Sequence, residues 1–275
     1  MDALRQVREW PVERVAAGVV RTGGARAAEG DETGRFPWAS VTKTATALAV
    51  LVAAEEGILE LDDPAGPEGA TVRHLLAHAS GLPLYAGAPI AQPGARRIYS
   101  NHGFVVLAEH LAAAAAMPFP EYLHAAVLAP LGLRAELRGD AGSGLVGSLG
   151  DLLALGAELL EPTLVAPETL AEAVTVQFEG LTGVLPGFGR QERNDWGLGF
   201  ELRDAKKPHW TGARNSPRTF GHFGRSGTFL WVDPVAQVTL GVLTDREFGD
   251  WAHEAWPALA DAVLGETTSA TSPLA

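Results

Sequence analysis

Lys43 is the only lysine among the first 205 residues; two more, Lys206 and Lys207, stand side by side later, and 18 arginines supply the rest of the chain's positive charge. Lys43 sits one helical turn after Ser40, in the stretch FPWASVTKTATALAVLVAAEEG, at the mouth of an otherwise apolar segment. Arginine keeps its proton under almost any condition, whereas a lysine withdrawn from water can lose its proton and act as a base. At i and i+3 of one helix the Ser40 hydroxyl and the Lys43 amine project from the same face. A serine hydroxyl is a weak nucleophile until a neighbouring base removes its proton. The first turn of such a helix also offers backbone N–H groups that can hold an oxyanion.

Two further short elements follow in order: Tyr-Ser-Asn at Tyr99 to Asn101, and His-Phe-Gly at His222 to Gly224. Tyr99 can partner a desolvated amine in proton relay. Each element alone is weak, since Ser-x-x-Lys arises by chance as a serine helix cap followed by a solvated lysine. Competing motifs are weaker still. GSGLVG, residues 142–147, matches a dinucleotide-binding glycine pattern, but the preceding RAELRGDA is no buried strand. His74 and His78, at i and i+4, lack the HExxH form and a third ligand, so packing or capping is the better role for them. No GxSxG elbow and no GxxxxGK[ST] loop occur.

The elements that must carry these residues can be read coarsely. Residues 2–10 form a short helix, VERVAAGVVRTG a strand entering a turn, and a second edge strand precedes Phe36. Ser40 to Glu56 is a helix buried on most sides and stopped by Gly57, and LELDDPAG is a turn. VRHLLAHASG, NHGFVVLAEHLAAAAA, FPEYLHAAVLAPLG and SLGDLLALGAELL are helical, the last started by a capping-box-like Ser148 with Asp151. From about residue 185 the texture turns to Gly, Trp and β-formers, with a hairpin at TFLWVDPVAQVTLGVLT. DWAHEAWPALADAVLG closes as an amphipathic helix, and residues 266–275 read as a disordered tail. The expected fold class is α+β. An antiparallel sheet flanked by helices and built from both chain ends (1–60 and 185–265) carries an inserted helical subdomain, 61–184.

The totals narrow the function. A formal net charge of −12 argues against nucleic acid or an anionic membrane as partner. Charge is uneven, however: between Arg190 and Arg225 eight Lys or Arg residues stand against four acids. That run reads as a solvated surface or, more sharply, as a basic rim for an anionic substrate. The absence of cysteine removes disulfides, thiol nucleophiles and thiolate metal sites together. No run of about 18 apolar residues and no secretory leader is apparent, so a cytoplasmic protein with no membrane partner is expected.

Taken in order, Ser40-x-x-Lys43, Tyr99-Ser100-Asn101 and His222-Phe223-Gly224 resemble the serine β-lactamase and penicillin-binding-protein superfamily, on the branch with class C β-lactamases, D-Ala-D-Ala carboxypeptidases and related esterases. LDDPAG, TVRHLLAHASGLP, YSNHGFVVLAEHL, GLVGSLGDLLALGAELL, WGLGF and GHFGRSGTFLWVDP resemble that family's connecting segments, over residues 10 to 265. The resemblance implies an active site between a helical region and an α/β region. It makes Ser40 the acylated nucleophile and gives Lys43 and Tyr99 the general-base and general-acid work. Asn101 would bond Lys43 and the substrate, and His222, Phe223 and Gly224 would line a strand edge. The N–H of Arg225 would then join that of Ser40 as an oxyanion hole. Two departures from the family's Lys-Thr-Gly matter: His222 replaces the lysine and Phe223 the small hydroxyl residue. Both point away from penicillin-like substrates. The expectation is a serine hydrolase acting on a small-molecule ester or amide, with no cofactor and no metal. The alternative is a non-catalytic ligand-binding or sensor domain on the same scaffold.

Overall fold

The β-rich runs at the two ends of the chain pair with each other. The computed structural model describes residues 1–270. A 3₁₀ helix over Asp2–Glu9 leads to β1 (Val15–Arg21), β2 (Arg26–Gly30) and β3 (Phe36–Pro37), and a 3₁₀ turn over Ala39–Val41 feeds α1 (Thr42–Glu55). The middle holds α2 (Val72–Leu76), α3 (Asn101–Ala115), α4 (Phe119–Leu123), β4 (Glu136–Leu137), β5 (Leu145–Gly147), α5 (Leu149–Leu160) and α6 (Pro167–Ala173). The last third supplies β6 (Gly183–Leu185), β7 (Gly189–Gln191), β8 (Glu201–Leu202), β9 (Phe220–Gly224), β10 (Thr228–Asp233), β11 (Val238–Thr244) and α7 (Asp250–Ala270).

Six strands form one antiparallel sheet in the order β2-β1-β11-β10-β9-β8, so the amino-terminal strand lies between its own hairpin partner and the chain's last strand. The run VAAGVV in β1 is apolar without alternation because both sheet faces are covered. Ala16 and Val20 face the helical side, while Ala17 and Val19 face the opening helix and α7. Gly18 and Gly241 are cross-strand partners. A Cβ at Gly18 would meet Leu153 at 2.5 Å and one at Gly241 would meet Leu152 at 2.9 Å, so these two glycines let α5 lie directly on the sheet.

The expected α+β class and the sheet built from both termini are observed. α1 is buried from Thr42 through Ala53, as its unbroken apolar run predicts. Gly57 ends it with φ +70°. Ser148 and Asp151 form a complete capping box on α5.

Three details differ from expectation. α2 is one short turn and a half rather than the whole of VRHLLAHASG, because the chain leaves the helix before His78, which adopts φ +54°. The small sheets β3-β5-β4 and β6-β7 are too short to leave a pattern in sequence. Finally, α7 runs on to Ala270, so residues 266–270 of the expected tail are helical. The rest of that tail lies outside the described residues. No single helix among the described residues is long and apolar enough to cross a membrane.

Candidate active site

Ser40 is delivered by a strained turn. Ala39 before it has φ +44°, a left-handed conformation that costs a non-glycine residue about 1–2 kcal/mol. The turn is held from both sides: the Trp38 N–H donates to the Leu145 carbonyl (2.8 Å), and Thr228 Oγ1 donates to the Trp38 carbonyl (3.0 Å). The Ser40 side chain is left half-buried at the base of a cavity of about 250 Å³.

Lys43 lies beneath it, fully buried at the start of α1. Its Nζ is 2.6 Å from Asn101 Oδ1, 2.7 Å from the Gly142 carbonyl and 3.3 Å from Ser40 Oγ. Burial pulls the amine down to about 7, with the Asp140 carboxylate acting in the opposite sense. A neutral amine has two N–H donors and one lone pair. The two short contacts go to groups that only accept, and these take the two hydrogens. The lone pair is left facing the one neighbour that can give a proton, the Ser40 hydroxyl.

Tyr99 completes the set. Its enclosure by protein raises the phenol above its ordinary value, opposed by a hydrogen bond with Ser40 and reinforced by Asp140. The ring sits under Lys43 Nζ, 4.9 Å from its centroid. At neutral pH the arrangement therefore holds a base in Lys43 and an acid in Tyr99, both within reach of one hydroxyl. The other two serines near the site are engaged elsewhere. Ser100 caps α3 through the Gly103 N–H (2.8 Å) and donates to the Pro83 carbonyl (2.6 Å), while Ser226 donates to the Pro37 carbonyl (2.8 Å).

The third element lies on β9, next to the Ser40 turn. Gly224 has no room for a side chain: a Cβ there would meet the Trp38 carbonyl at 2.6 Å, Thr228 Oγ1 at 2.7 Å and Ala39 Cβ at 2.9 Å. That close approach sets the end of β9 against the Ser40 turn, and the next residue, Arg225, lines the same cavity as Ser40, the placement that the expected oxyanion hole needs. His222 is buried and held down to about 3 by desolvation and by Lys43. Its Nδ1–H donates to the Phe223 carbonyl (2.7 Å), which leaves Nε2 as a buried acceptor with no partner among the described residues. Phe223, on alternate pleat, turns most of its ring into the core with Trp210, Phe248 and Trp256 and shows the cavity only an edge.

Some functional groups escaped the sequence reading. Gly142, set aside with the GSGLVG pattern, carries the carbonyl that holds Lys43. Its own N–H is pinned by Asp140 Oδ1 (2.8 Å), and a Cβ there would come within 3.3 Å of Lys43 Nζ. A main-chain acceptor has no sequence signature beyond the need for a small residue. His78 grips both sides of Tyr99: its carbonyl accepts from the Ile98 N–H (2.8 Å) and its Nδ1 from the Ser100 N–H (3.1 Å). His74 instead bonds Thr71 and stacks on Phe178, so the two histidines pack and cap separately. Trp196, of WGLGF, walls the site against Tyr99 and His222.

The basic segment from Arg190 to Arg225 is in part turned inward or paired with acids. Lys206 is buried against Glu201, which also accepts from His209 and Trp210, and Arg193 reaches Asp195 and Asp204. Of its eight cations only Arg190 and Arg225 line cavities near the site.

Comparisons with known proteins bear on the fold that carries this site. A family model described as Beta-lactamase matches residues 11–264. A beta-lactamase from Mycobacterium bovis is 52% identical and superposes with a TM-score of 0.95, covering 97% of this chain and 99% of that one. EstCE1, a hydrolase with promiscuous acyltransferase activity, shares the fold at 20% identity and a TM-score of 0.77, with 96% of each chain covered. Penicillin-binding protein 4* of Bacillus subtilis is 30% identical over 36% of this chain, and the match spans 29% of that curated relative's length.

Proposed function

The chain belongs to the beta-lactamase family, and from that premise we propose that it is a serine hydrolase that forms an acyl-enzyme on Ser40 and prefers a small, weakly polar ester to a β-lactam. The observation that carries the hydrolase reading is the placement of Lys43: its two short contacts go to groups that only accept and its Nζ lies 3.3 Å from Ser40 Oγ, so the lone pair of the neutral amine is left to the Ser40 hydroxyl. Ser40 Oγ attacks the substrate carbonyl as its proton passes to Lys43 Nζ. The resulting oxyanion is held by main-chain N–H groups at Ser40 and Arg225. Collapse expels the alcohol, which takes its proton from the Tyr99–Lys43 pair, and water then releases the acid by the same steps.

The ester preference rests on the cavity wall. Leu84, Leu185, Pro186, Phe223 and Phe248 make it predominantly apolar. His222 is neutral, position 223 has no hydroxyl, and neither can grip a substrate carboxylate as an ammonium and hydroxyl would. The fold shared with a hydrolase of promiscuous acyltransferase activity is in keeping with ester chemistry. The name of the Mycobacterium bovis relative pulls toward β-lactams. Arg225 is the group through which that pull would act, because its side chain is 78% exposed and only loosely paired with Glu247 at 3.4 Å. The test is kcat/KM for a p-nitrophenyl ester and a chromogenic cephalosporin, in wild type and in Arg225→Ala. The cephalosporin should be at least about tenfold poorer, roughly 1.4 kcal/mol in transition-state binding. A cephalosporin that wins in wild type and collapses in Arg225→Ala makes the protein an anion-reading lactamase or peptidase instead.

A second test addresses the oxyanion hole. Gly224→Ala must push β9 away from the Ser40 turn, since the new methyl would stand 2.6 Å from the Trp38 carbonyl. Losing one oxyanion donor typically costs about 10²–10³ in kcat. Ester kcat should fall in that range with KM much less affected, whereas a change below threefold would remove Arg225 N–H from the mechanism.

A further inference from the structure

The active-site cavity does not end at Tyr99. Leu84, Tyr99 and Pro186 are also the near wall of a second, larger cleft of about 480 Å³, set between the loop after α2 and the β6–β7 hairpin. Two features of this cleft are unusual for the molecule. Its lip is apolar yet exposed: Ile90 and Val184 are 55% and 59% open, and Leu84 and Tyr85 beside them are exposed as well. Four of the large hydrophobic side chains left exposed among the described residues thus gather at the mouths of two joined cavities, which is the mark of a binding surface. Its charge is also of one sign. In a chain of net charge −12 this cleft is lined by Arg96, Arg97 and Arg190 and by no acid.

The three arginines differ in what they have to give. Arg97 is buried and spends its guanidinium on the carbonyls of Ala77, Gln177, Phe178 and Asn194, so it adds positive potential to the floor but no free donor. Arg96 is exposed and makes only a long contact to the Ile90 carbonyl (3.4 Å). Arg190 pairs with Glu192 at 3.0 Å, but with both side chains mostly in water that pair is weak and easily exchanged.

We propose that the second cleft is the outer half of the substrate site and takes the far arm of an amphiphilic ester, an apolar chain ending in an anionic head that Arg96 and Arg190 bind. The chain lies along Leu84, Ile90 and Val184, and the head reaches the guanidinium groups at the rim. This deepens the hydrolase reading: the groups beside the scissile bond stay weakly polar against the apolar wall at Ser40, and the charge lies at the far end of the molecule, in the second cleft. It rests on that reading only for the identity of the ligand as a substrate.

The test compares decanoate with 1-decanol, which share a chain and differ in charge. Each is measured as a competitive inhibitor of p-nitrophenyl acetate hydrolysis and, independently of turnover, by calorimetric binding. Decanoate should bind at least about tenfold more tightly at low salt, as charge-assisted hydrogen bonds to guanidinium predict. The advantage should shrink in 0.5 M salt, by about the screening expected of exposed charges. It should vanish in the Arg96→Ala/Arg190→Ala double variant while decanol binding persists, which also reports that the cleft is still formed. Equal affinities in wild type overturn the proposal. So does a preference that survives the double variant, or one lost in Arg225→Ala instead. Retention of the protein on phosphatidylglycerol vesicles would assign the apolar lip to a lipid surface and likewise overturn it. Absence of p-nitrophenyl acetate turnover with the calorimetric preference intact would sink the hydrolase reading and leave the cleft standing.

Discussion

An alkyl fluorophosphonate should add once to this protein, on the peptide that contains Ser40, and not at all to Ser40→Ala. Intact-mass measurement followed by peptide mapping reads the result. The reagent forms its bond only with a serine oxygen that a nearby base has deprotonated. Ser40 alone among the serines at the site has an amine beneath it, at 3.3 Å, and that amine is held near 7 by burial. Ser100 and Ser226 each donate to a main-chain carbonyl and have no base beside them. Hydrolysis should fall with the label, on the order of 10⁶-fold if Ser40 behaves as nucleophiles do in other serine hydrolases. An adduct on Ser100 or Ser226, or none in wild type, would favour the binding or sensor domain on this scaffold.

How far the sequence alone reaches depends on whether a feature is local. α1, the capping box of α5 and the β10–β11 hairpin were legible because periodicity, caps and turn residues are written in neighbouring positions. Ser40 and Lys43 were legible for the same reason, being three residues apart, although the helix expected from Ser40 begins only at Thr42 and Ser40 itself stands in the 3₁₀ turn that feeds it. Tyr99, Asn101, His222 and Gly224 came from resemblance in chain order, since nothing in their spacing says that they meet. The Gly142 carbonyl was hidden because the acceptor belongs to the main chain. His78 was hidden because its grip on Tyr99 depends on a left-handed backbone that no neighbouring residue forces. Lys206 shows the converse error. Counted as part of a basic rim, it is in fact buried against Glu201, because strand β8 and the loop after it fold over it.

The cavity was the least legible feature. Leu84, Leu185 and Phe248 arrive from three separated stretches and become one wall only after the sheet has closed. The swap of Phe223 for a hydroxyl residue was visible, but not that alternation on β9 sends most of its ring into the opposite core. Substrate preference therefore rests on the apolar wall as a whole rather than on Phe223 alone, and on the charge carried by Arg225 at its rim and by Arg190 in the adjoining cleft.

Lys43→Arg should lose about 10²–10⁴-fold in kcat/KM, nearly as much as Lys43→Ala, because general-base catalysis is worth that range and arginine keeps the charge without accepting the proton. The pH profile identifies the base independently. Lys43 must be neutral to act, and burial sets it at about 7, so kcat/KM should rise with pH through about 7 and then level. His222, held at about 3, and His78, pushed well below its ordinary value by burial, are already neutral there and cannot supply that limb. Tyr99, shifted upward, stays protonated across the same window and remains an acid. Tyr99→Phe should therefore be severe alone yet add little to Lys43→Ala, since residues that work as a unit lose less together than the sum of their separate losses. A flat profile between pH 5 and about 9, or wild-type turnover in Lys43→Arg, would mean that position 43 contributes only charge. In that case the proton of Ser40 would have to leave by another route. No second amine lies within reach: Lys206 and Lys207 sit in the loop after β8, with Lys206 locked to Glu201. The base would then have to be Tyr99, against the direction in which its surroundings push it.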